Sequence, residues 1–266
     1  MIKMLVVDID GTILSEKKGI SDSLKKHVKL LLENDIKVVI ATGRMHCSAK
    51  HIACELGTDC PIISYQGGLI IDSENNTLWA KYFDEKLARE IVSYLRKEQF
   101  HMNIYINDNL IAEDDSKYIR DYVKGKFIDY EIVENLDKVP FLDLNKILAI
   151  DYDTERIINL VDKLIDKYQE ELYIVRSTPY FCEISNPEAT KGNGIRFLAN
   201  QWGIKEEEIM AIGDQDNDIE MLLASGVRVA MGNATQKLKN VANYITKTVD
   251  EDGVVHAIQE FIGIRA

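Results

Sequence analysis

The sequence predicts an α/β fold: a Rossmann-like, doubly wound parallel sheet interrupted by an inserted α+β domain. Three observations carry this. Short apolar runs alternate with helical periodicity over roughly the first eighty residues, and the same alternation returns over roughly the last seventy. The stretch between them reads as paired strands and helices of a different order. Strand–helix alternation requires right-handed crossovers, hence a parallel sheet covered by helices on both faces.

In chain order, Met4–Val7, Val38–Ala41 and Pro61–Tyr65 read as buried strands of that sheet. A helix opened by Ser21 as N-cap carries Leu24, Val28, Leu31 and Leu32 on one stripe. In the closing segment a helix carries Ile195, Leu198 and Trp202, and Ile209–Ile212 and Val227–Ala230 are strands flanking a helix after Asp214. The insert, residues 84–185, begins with a helix bearing Leu87, Ile91, Tyr94 and Leu95. Strands follow at Met102–Ile106 and Leu110–Glu113, then a short helix near Ser116–Lys124 and a strand at Asn145–Asp151. A helix with Ile157, Val161, Leu164, Ile165 and Tyr168 precedes strands Leu172–Ser177 and Tyr180–Ser185. The core domain is therefore 1–83 with 186–266. At 266 residues the chain is long enough for two domains.

A hydrophobic fraction of 46% and a charged fraction of 29% are those of a water-soluble globular protein. No apolar run approaches the ~18 residues that span a bilayer, and the short apolar start ends in Asp8 rather than continuing as a leader. A cytoplasmic protein is expected. The formal net charge of −12 argues against nucleic-acid and anionic-membrane partners, which need a basic footprint. Oligomeric state is not written in the sequence. His46, Cys47, His51 and Cys54 lie close together, and Cys47, His51 and Cys54 share a helical stripe opposite Met45, Ala49, Ile52 and Leu56. A surface metal site is geometrically possible there, but zinc ligands normally come at tighter, paired spacings, so unassociated reduced thiols are expected.

The chemistry-bearing residues come from distant segments. Asp8, Thr42 and Asp214 each follow an apolar strand at its carboxyl end, where open parallel sheets bind ligands. Lys191 follows Thr190, an N-cap candidate, at the start of a helix, where a cation opposes the helix dipole and a bound anion would explain it. Asp8-Ile9-Asp10-Gly11-Thr12 places two carboxylates two residues apart, projecting the same way if the backbone stays extended. The same letters also make an ordinary Asp-Gly turn, and the two readings coexist. Gly213-Asp214-Gln215-Asp216-Asn217-Asp218 is a second acidic cluster. It is not a calcium loop, since the sixth position is Ile219 and the twelfth is Ser225. Thr42-Gly43-Arg44 joins a hydroxyl, a glycine and a cation, although Thr42 alone would serve as a helix N-cap.

Taken together, Asp8-x-Asp10-Gly11-Thr12, Thr42-Gly43-Arg44, Lys191-Gly192 and Gly213-Asp214-x-x-Asn217-Asp218 resemble, in order, the four motifs of haloacid dehalogenase-like phosphatases. The closest pattern is the Cof-type branch, with its large α+β (C2-type) cap. The resemblance implies a Mg²⁺-dependent phosphatase acting on small phosphate esters, with Asp8 as nucleophile and Asp10 as general acid and base. It implies metal ligation by Asp8, the Asp10 carbonyl and Asp214, with Asp218 supporting. Phosphoryl oxygens would be held by the Ile9 and Gly43 amides, Thr42, Lys191 and Asn217, with Arg44 nearby. Sugar phosphates are the expected default, with phosphorylated cofactors as a further class. The cap would choose among them, and Arg176 and Glu183 are its candidate contacts. One departure stands out: where the family usually has asparagine-glycine, this chain has Gln66-Gly67.

Two other functions are consistent with parts of this pattern. A phosphomutase would share the site and differ in product. A receiver domain also gathers acids, a hydroxyl and a lysine around Mg²⁺, but its accepting aspartate follows a later strand and it has no use for Asp10.

Overall fold

A computed structural model of the chain describes residues 1–126 and 128–265. The chain divides into two compact units, Met1–Trp79 with Thr190–Ala266, and Ala80–Ala189. No helix among the described residues is long and apolar enough to cross a membrane.

In the first unit the order is β1 (Met4–Val7), α1 (Asp22–Glu33), β2 (Lys37–Ile40), α2 (His46–Leu56), β3 (Ile62–Ser64), β4 (Leu69–Ile71) and β5 (Thr77–Ala80). The second unit contains α3 (Glu85–Lys97), β6 (His101–Ile106), β7 (Asn109–Ala112), α4 (Lys117–Val123) and β8 (Tyr130–Ile132). It continues through β9 (Leu144–Ile150), α5 (Thr154–Tyr168), β10 (Tyr173–Thr178) and β11 (Phe181–Ser185). Back in the first unit come α6 (Lys191–Trp202), β12 (Ile209–Gly213), α7 (Ile219–Leu223), β13 (Val227–Ala230), α8 (Gln236–Val241), β14 (Tyr244–Ile245) and α9 (Gly253–Phe261).

Five strands form an all-parallel sheet in the order β14-β13-β12-β1-β2. Residues 4–7, 38–40 and 209–212 are almost completely buried, as strands covered on both faces must be. The connection β1–α1–β2 steps one way along the sheet and β12–α7–β13 steps the other. Right-handed crossovers then put these helices on opposite faces, and the direction reverses between β1 and β12. That reversal opens a crevice at the carboxyl ends of these two strands, beside Asp8 and Asp214.

One expectation needs correction. Residues 62–64 do not join the parallel sheet except through a single bridge between Ala41 and Ile63. The chain turns back at Gly67-Gly68, so β3 pairs antiparallel with β4 in a separate sheet of order β3-β4-β5. Helix starts follow their caps. The Ser21 hydroxyl accepts from the Leu24 amide at 3.1 Å, and Thr190 accepts from Asn193 at 3.1 Å.

The second unit has a six-stranded sheet, β10-β11-β9-β6-β7-β8, antiparallel except for β7 with β8. Alternation sends Met102, Ile104, Ile147, Ala149, Cys182 and Ile184 into a core shared with Ile91, Leu95, Ile157 and Leu164 of α3 and α5. Its two chain ends are stitched together: Lys81 pairs with Glu188 at 2.7 Å, and Asn186 Nδ2 donates to the Tyr82 carbonyl at 2.8 Å.

Candidate active site

The carboxyl edge of the parallel sheet gathers the acids of both motifs. Asp8 extends β1 and its amide donates to the Ile212 carbonyl, tying it to β12. Lys191, wholly buried at the first position of α6, donates to Asp8 Oδ1 at 2.6 Å and to Asp218 Oδ1 at 2.5 Å. The other oxygen of Asp218 accepts the amides of Asp214 (2.9 Å) and Gln215 (3.0 Å). Asp218 is thus bonded by a lysine and two amides, and braces the Asp214 loop. Asp214 receives Thr12 Oγ1 at 3.2 Å and Gln215 Nε2 at 2.9 Å. Gly11, at φ +77°, lies so close that a Cβ there would sit 2.4 Å from Asp214 Oδ2, so the first motif and Asp214 are packed as one piece.

Asp8 and Asp10 face different surroundings. The backbone leaves the extended form after Ile9, whose carbonyl accepts the amides of Thr12, Ile13 and Leu14. Asp8 points into the buried cluster. The Asp10 side chain is 60% exposed and is gripped by Arg44, with Nε to Oδ2 at 2.8 Å and Nη2 to Oδ1 at 2.5 Å. Thr42 is not a helix cap, because α2 starts only at His46. Its buried hydroxyl instead accepts the Arg44 amide at 3.2 Å and shapes the turn after β2.

After β3 the residues Tyr65, Gln66 and Gly67 all have positive φ, at 52°, 61° and 110°. This turn is latched to the second motif, since the Tyr65 amide donates to the Arg44 carbonyl and the Gln66 amide to the Thr42 carbonyl, both at 3.0 Å. Gly67 abuts α6 so tightly that a Cβ would lie 2.0 Å from the Thr190 carbonyl oxygen. Asn217 Nδ2 donates to Gln66 Oε1 at 3.0 Å, joining this turn to the acidic loop.

The electrostatics call for a cation. Burial pushes the Asp8 carboxyl well above its ordinary range; Lys191 opposes this, while Asp218, Asp214 and Asp10 add to it. Burial and then the charge of Asp218 push Asp214 up to about 7. Burial also works against the Lys191 ammonium, yet Asp218 and Asp8 outweigh it and the net shift is upward. One lysine therefore faces more carboxylate than it neutralises. Among the described residues, Asp8, Asp214 and Asp218 form the group whose ligating atoms converge, all within 4.8 Å of one another. Among the described residues, His46, Cys47, His51 and Cys54 form no such group. Asp8, Asp214 and Asp218 together offer hard oxygen donors, a set that fits Mg²⁺.

The sign of the resulting pH effect is definite. A carboxyl raised in the folded state binds its proton more tightly there than in the unfolded chain. Asp214 thus contributes stability below its ordinary value of 3.8, which is lost as pH rises toward about 7. A divalent cation replaces that proton. The melting temperature without divalent ions should fall as pH rises through this window. The gain on adding Mg²⁺ should grow from near zero at about pH 5 to roughly 5–10 °C at about pH 8 under saturating metal. Differential scanning fluorimetry at several pH values checks this; a Mg²⁺ gain that does not grow with pH would exclude a carboxylate-held cation.

In the second unit, Glu183 is buried and paired with Lys146 Nζ at 2.8 Å. Arg176 is half-buried and lies opposite Cys182, whereas Glu183 lies opposite Val175, so these two candidates occupy opposite faces of the sheet. Sequence reasoning missed several partners. Lys146 follows Asn145 at the start of a strand that is otherwise apolar, and that incongruity was its one signal. Asn233 donates to the Gly11 carbonyl at 2.9 Å; its signal was the stretch Val229-Ala230-Met231-Gly232-Asn233-Ala234, which resembles the family's but was given no role.

A doubly wound sheet whose crevice holds a buried lysine among carboxylates is the frame of a phosphoric monoester hydrolase. The chain belongs to the haloacid dehalogenase-like hydrolase family, whose sequence model matches residues 5–258. It is similar to phosphatase YwpJ of Bacillus subtilis, at 27% identity over 98% of this chain and 100% of that one. It is also similar to the 5-amino-6-(5-phospho-D-ribitylamino)uracil phosphatase YwtE of the same organism, at 26% over 98% of each. Among solved structures, a haloacid dehalogenase-like hydrolase from Bacteroides thetaiotaomicron superposes with a TM-score of 0.86 at 29% identity, covering 98% of this chain and 99% of that one.

Proposed function

We propose that the protein is a Mg²⁺-dependent phosphatase of small phosphorylated metabolites, sugar phosphates or phosphorylated cofactors, working through a phosphoryl group carried on Asp8. The observation that carries this reading is Lys191 buried between Asp8 and Asp218 beside Asp214. The named activity of the relative YwtE, on a phosphorylated ribityl compound, supports the substrate class.

Asp8, the Asp10 carbonyl and Asp214 would hold the metal. Bound there, Mg²⁺ supplies charge neutralisation that lets an anionic ester approach a carboxylate. Lys191 already touches Asp8 and offsets charge on the transferring phosphoryl group. A carboxylate oxygen of Asp8 forms a bond to phosphorus while the ester P–O bond breaks, and Asp10 protonates the departing alkoxide. Asp10 then takes a proton from water, which attacks the same phosphorus and frees Asp8 together with inorganic phosphate. Thr42, Asn217 and the amides of Ile9 and Gly43 orient the phosphoryl oxygens. In this structure Arg44 grips the ionised Asp10 carboxylate, so Asp10 must leave this ion pair to carry the proton it delivers. The unit 80–189 acts as the cap that selects the leaving group.

Phosphate release across a panel of phosphorylated metabolites tests the reading. Release should be abolished by excess chelator, be restored by Mg²⁺, and be poorly supported by Ca²⁺, whose looser coordination misplaces an in-line attack. Full hydrolysis in excess chelator would eliminate it.

A further inference from the structure

Gln66 is where this chain departs from the Asn-Gly of the motif it resembles, and the structure gives the departure a physical content. Its side chain is 1% exposed. It meets Asn217 through one hydrogen bond, and two amide atoms are left buried without a partner among the described residues, Gln66 Nε2 and Asn217 Oδ1. Turning both amides over exchanges their roles but still leaves one N–H donor and one oxygen unpaired. Buried polar atoms are almost always satisfied, and an orphan pair bonded to the turn beside a candidate phosphate site is open to completion by an ordered water or a ligand. The backbone points the same way. Tyr65 and Gln66 both hold a left-handed conformation that side-chain-bearing residues avoid, kept in place by Thr42, Arg44 and the close packing of Gly67 on Thr190. The turn that presents Gln66 is thus bonded directly to the residues that flank the proposed phosphoryl group.

We propose that Gln66 is a phosphate-contacting residue: with its Oε1 receiving Asn217, its Nε2 presents the spare N–H donor to a non-bridging phosphoryl oxygen. The inference rests on the phosphatase reading and deepens it. The longer side chain lets one carboxamide both receive Asn217 and reach the anion.

The test is calorimetric titration of the Mg²⁺-loaded full chain with inorganic phosphate, for the parent, Gln66→Leu and Gln66→Glu. The glutamate still accepts from Asn217 and so preserves the bracing bond, but it uses up the donor and places a negative charge at the anion. A hydrogen bond to a charged oxygen is worth about tenfold or more in binding. Gln66→Leu should weaken phosphate binding by about that factor, and Gln66→Glu should weaken it further. Gln66→Asn, at ease in the left-handed region, should recover part of the loss. Melting curves identify any variant that fails to fold, and the remaining folded variants then decide. Phosphate affinity within about twofold of the parent in folded Gln66→Leu would overturn the inference. If the phosphatase reading itself were wrong, the parent would release no phosphate from any ester, a result separate from this one.

Discussion

An Asp8→Asn protein should release no phosphate from any ester and should form no covalent adduct, whereas Asp10→Asn should trap one. The two carboxylates sit in different surroundings, and that difference suits the tasks proposed for them. Asp8 is buried against Lys191, positioned to accept a phosphoryl group and poorly placed to exchange protons with solvent. Asp10 is largely exposed and held by Arg44, where proton exchange with solvent is open to it. Removing Asp10 leaves the nucleophile intact but slows both leaving-group protonation and water activation, each by about 10²–10⁴-fold with an alkyl ester. With an activated ester, whose leaving group needs no proton, transfer to Asp8 continues while hydrolysis stalls. Intact-mass measurement of Asp10→Asn after such a substrate should therefore show one added phosphoryl group, mapped by peptide analysis to Asp8. The double variant should show none. An adduct on another residue, or parental turnover by either single variant, would dismantle the assignment.

Lys191→Met should be both inactive and markedly unstable. The lysine is wholly buried, and its ammonium pairs with both Asp8 and Asp218. Methionine fills the space but leaves those carboxylates facing each other. Breaking a buried ion pair by removing one partner costs about 3–5 kcal/mol, on the order of 10 °C in melting temperature for a chain of this size. Pairing Lys191→Met with Asp218→Asn should recover part of the loss, because one of the stranded charges is then removed. Thermal melts of the three proteins measure this. A single variant melting within about 2 °C of the parent would show that the lysine is not what balances the cluster.

The parts of the molecule that were legible in the sequence are those in which local pattern and position coincide. Met4–Val7 and Ile209–Ile212 are apolar runs each followed by an acid, and a parallel sheet must place such acids at its carboxyl edge. The start of α6 was legible from Thr190, whose cap is local. Contacts set by distant segments were not legible. The Gln66–Asn217 bond spans 151 positions, and nothing around either residue announces the other. The Lys146–Glu183 pair depends on the register between β9 and β11, and the opposite facing of Arg176 depends on the register between β10 and β11. The third strand was misplaced because residues 62–64 are as apolar as a central strand. Only the reversal at Gly67-Gly68 reveals that they pair with the chain that follows.

The stitching of Lys81 to Glu188 and of Tyr82 to Asn186 has a consequence for how the molecule is assembled. Asp8 and Lys191 are 183 positions apart, and closing a loose loop of that length before any contact forms is slow. Once the segment 80–189 has folded on itself, its two ends are held by an ion pair and a hydrogen bond, and the loop that must be closed shrinks to the stretches outside it. The inserted unit then behaves as a short staple in the folding of its host. An insert with paired ends can also be exchanged for another of different size at little entropic cost to the host sheet, leaving the catalytic crevice as it was.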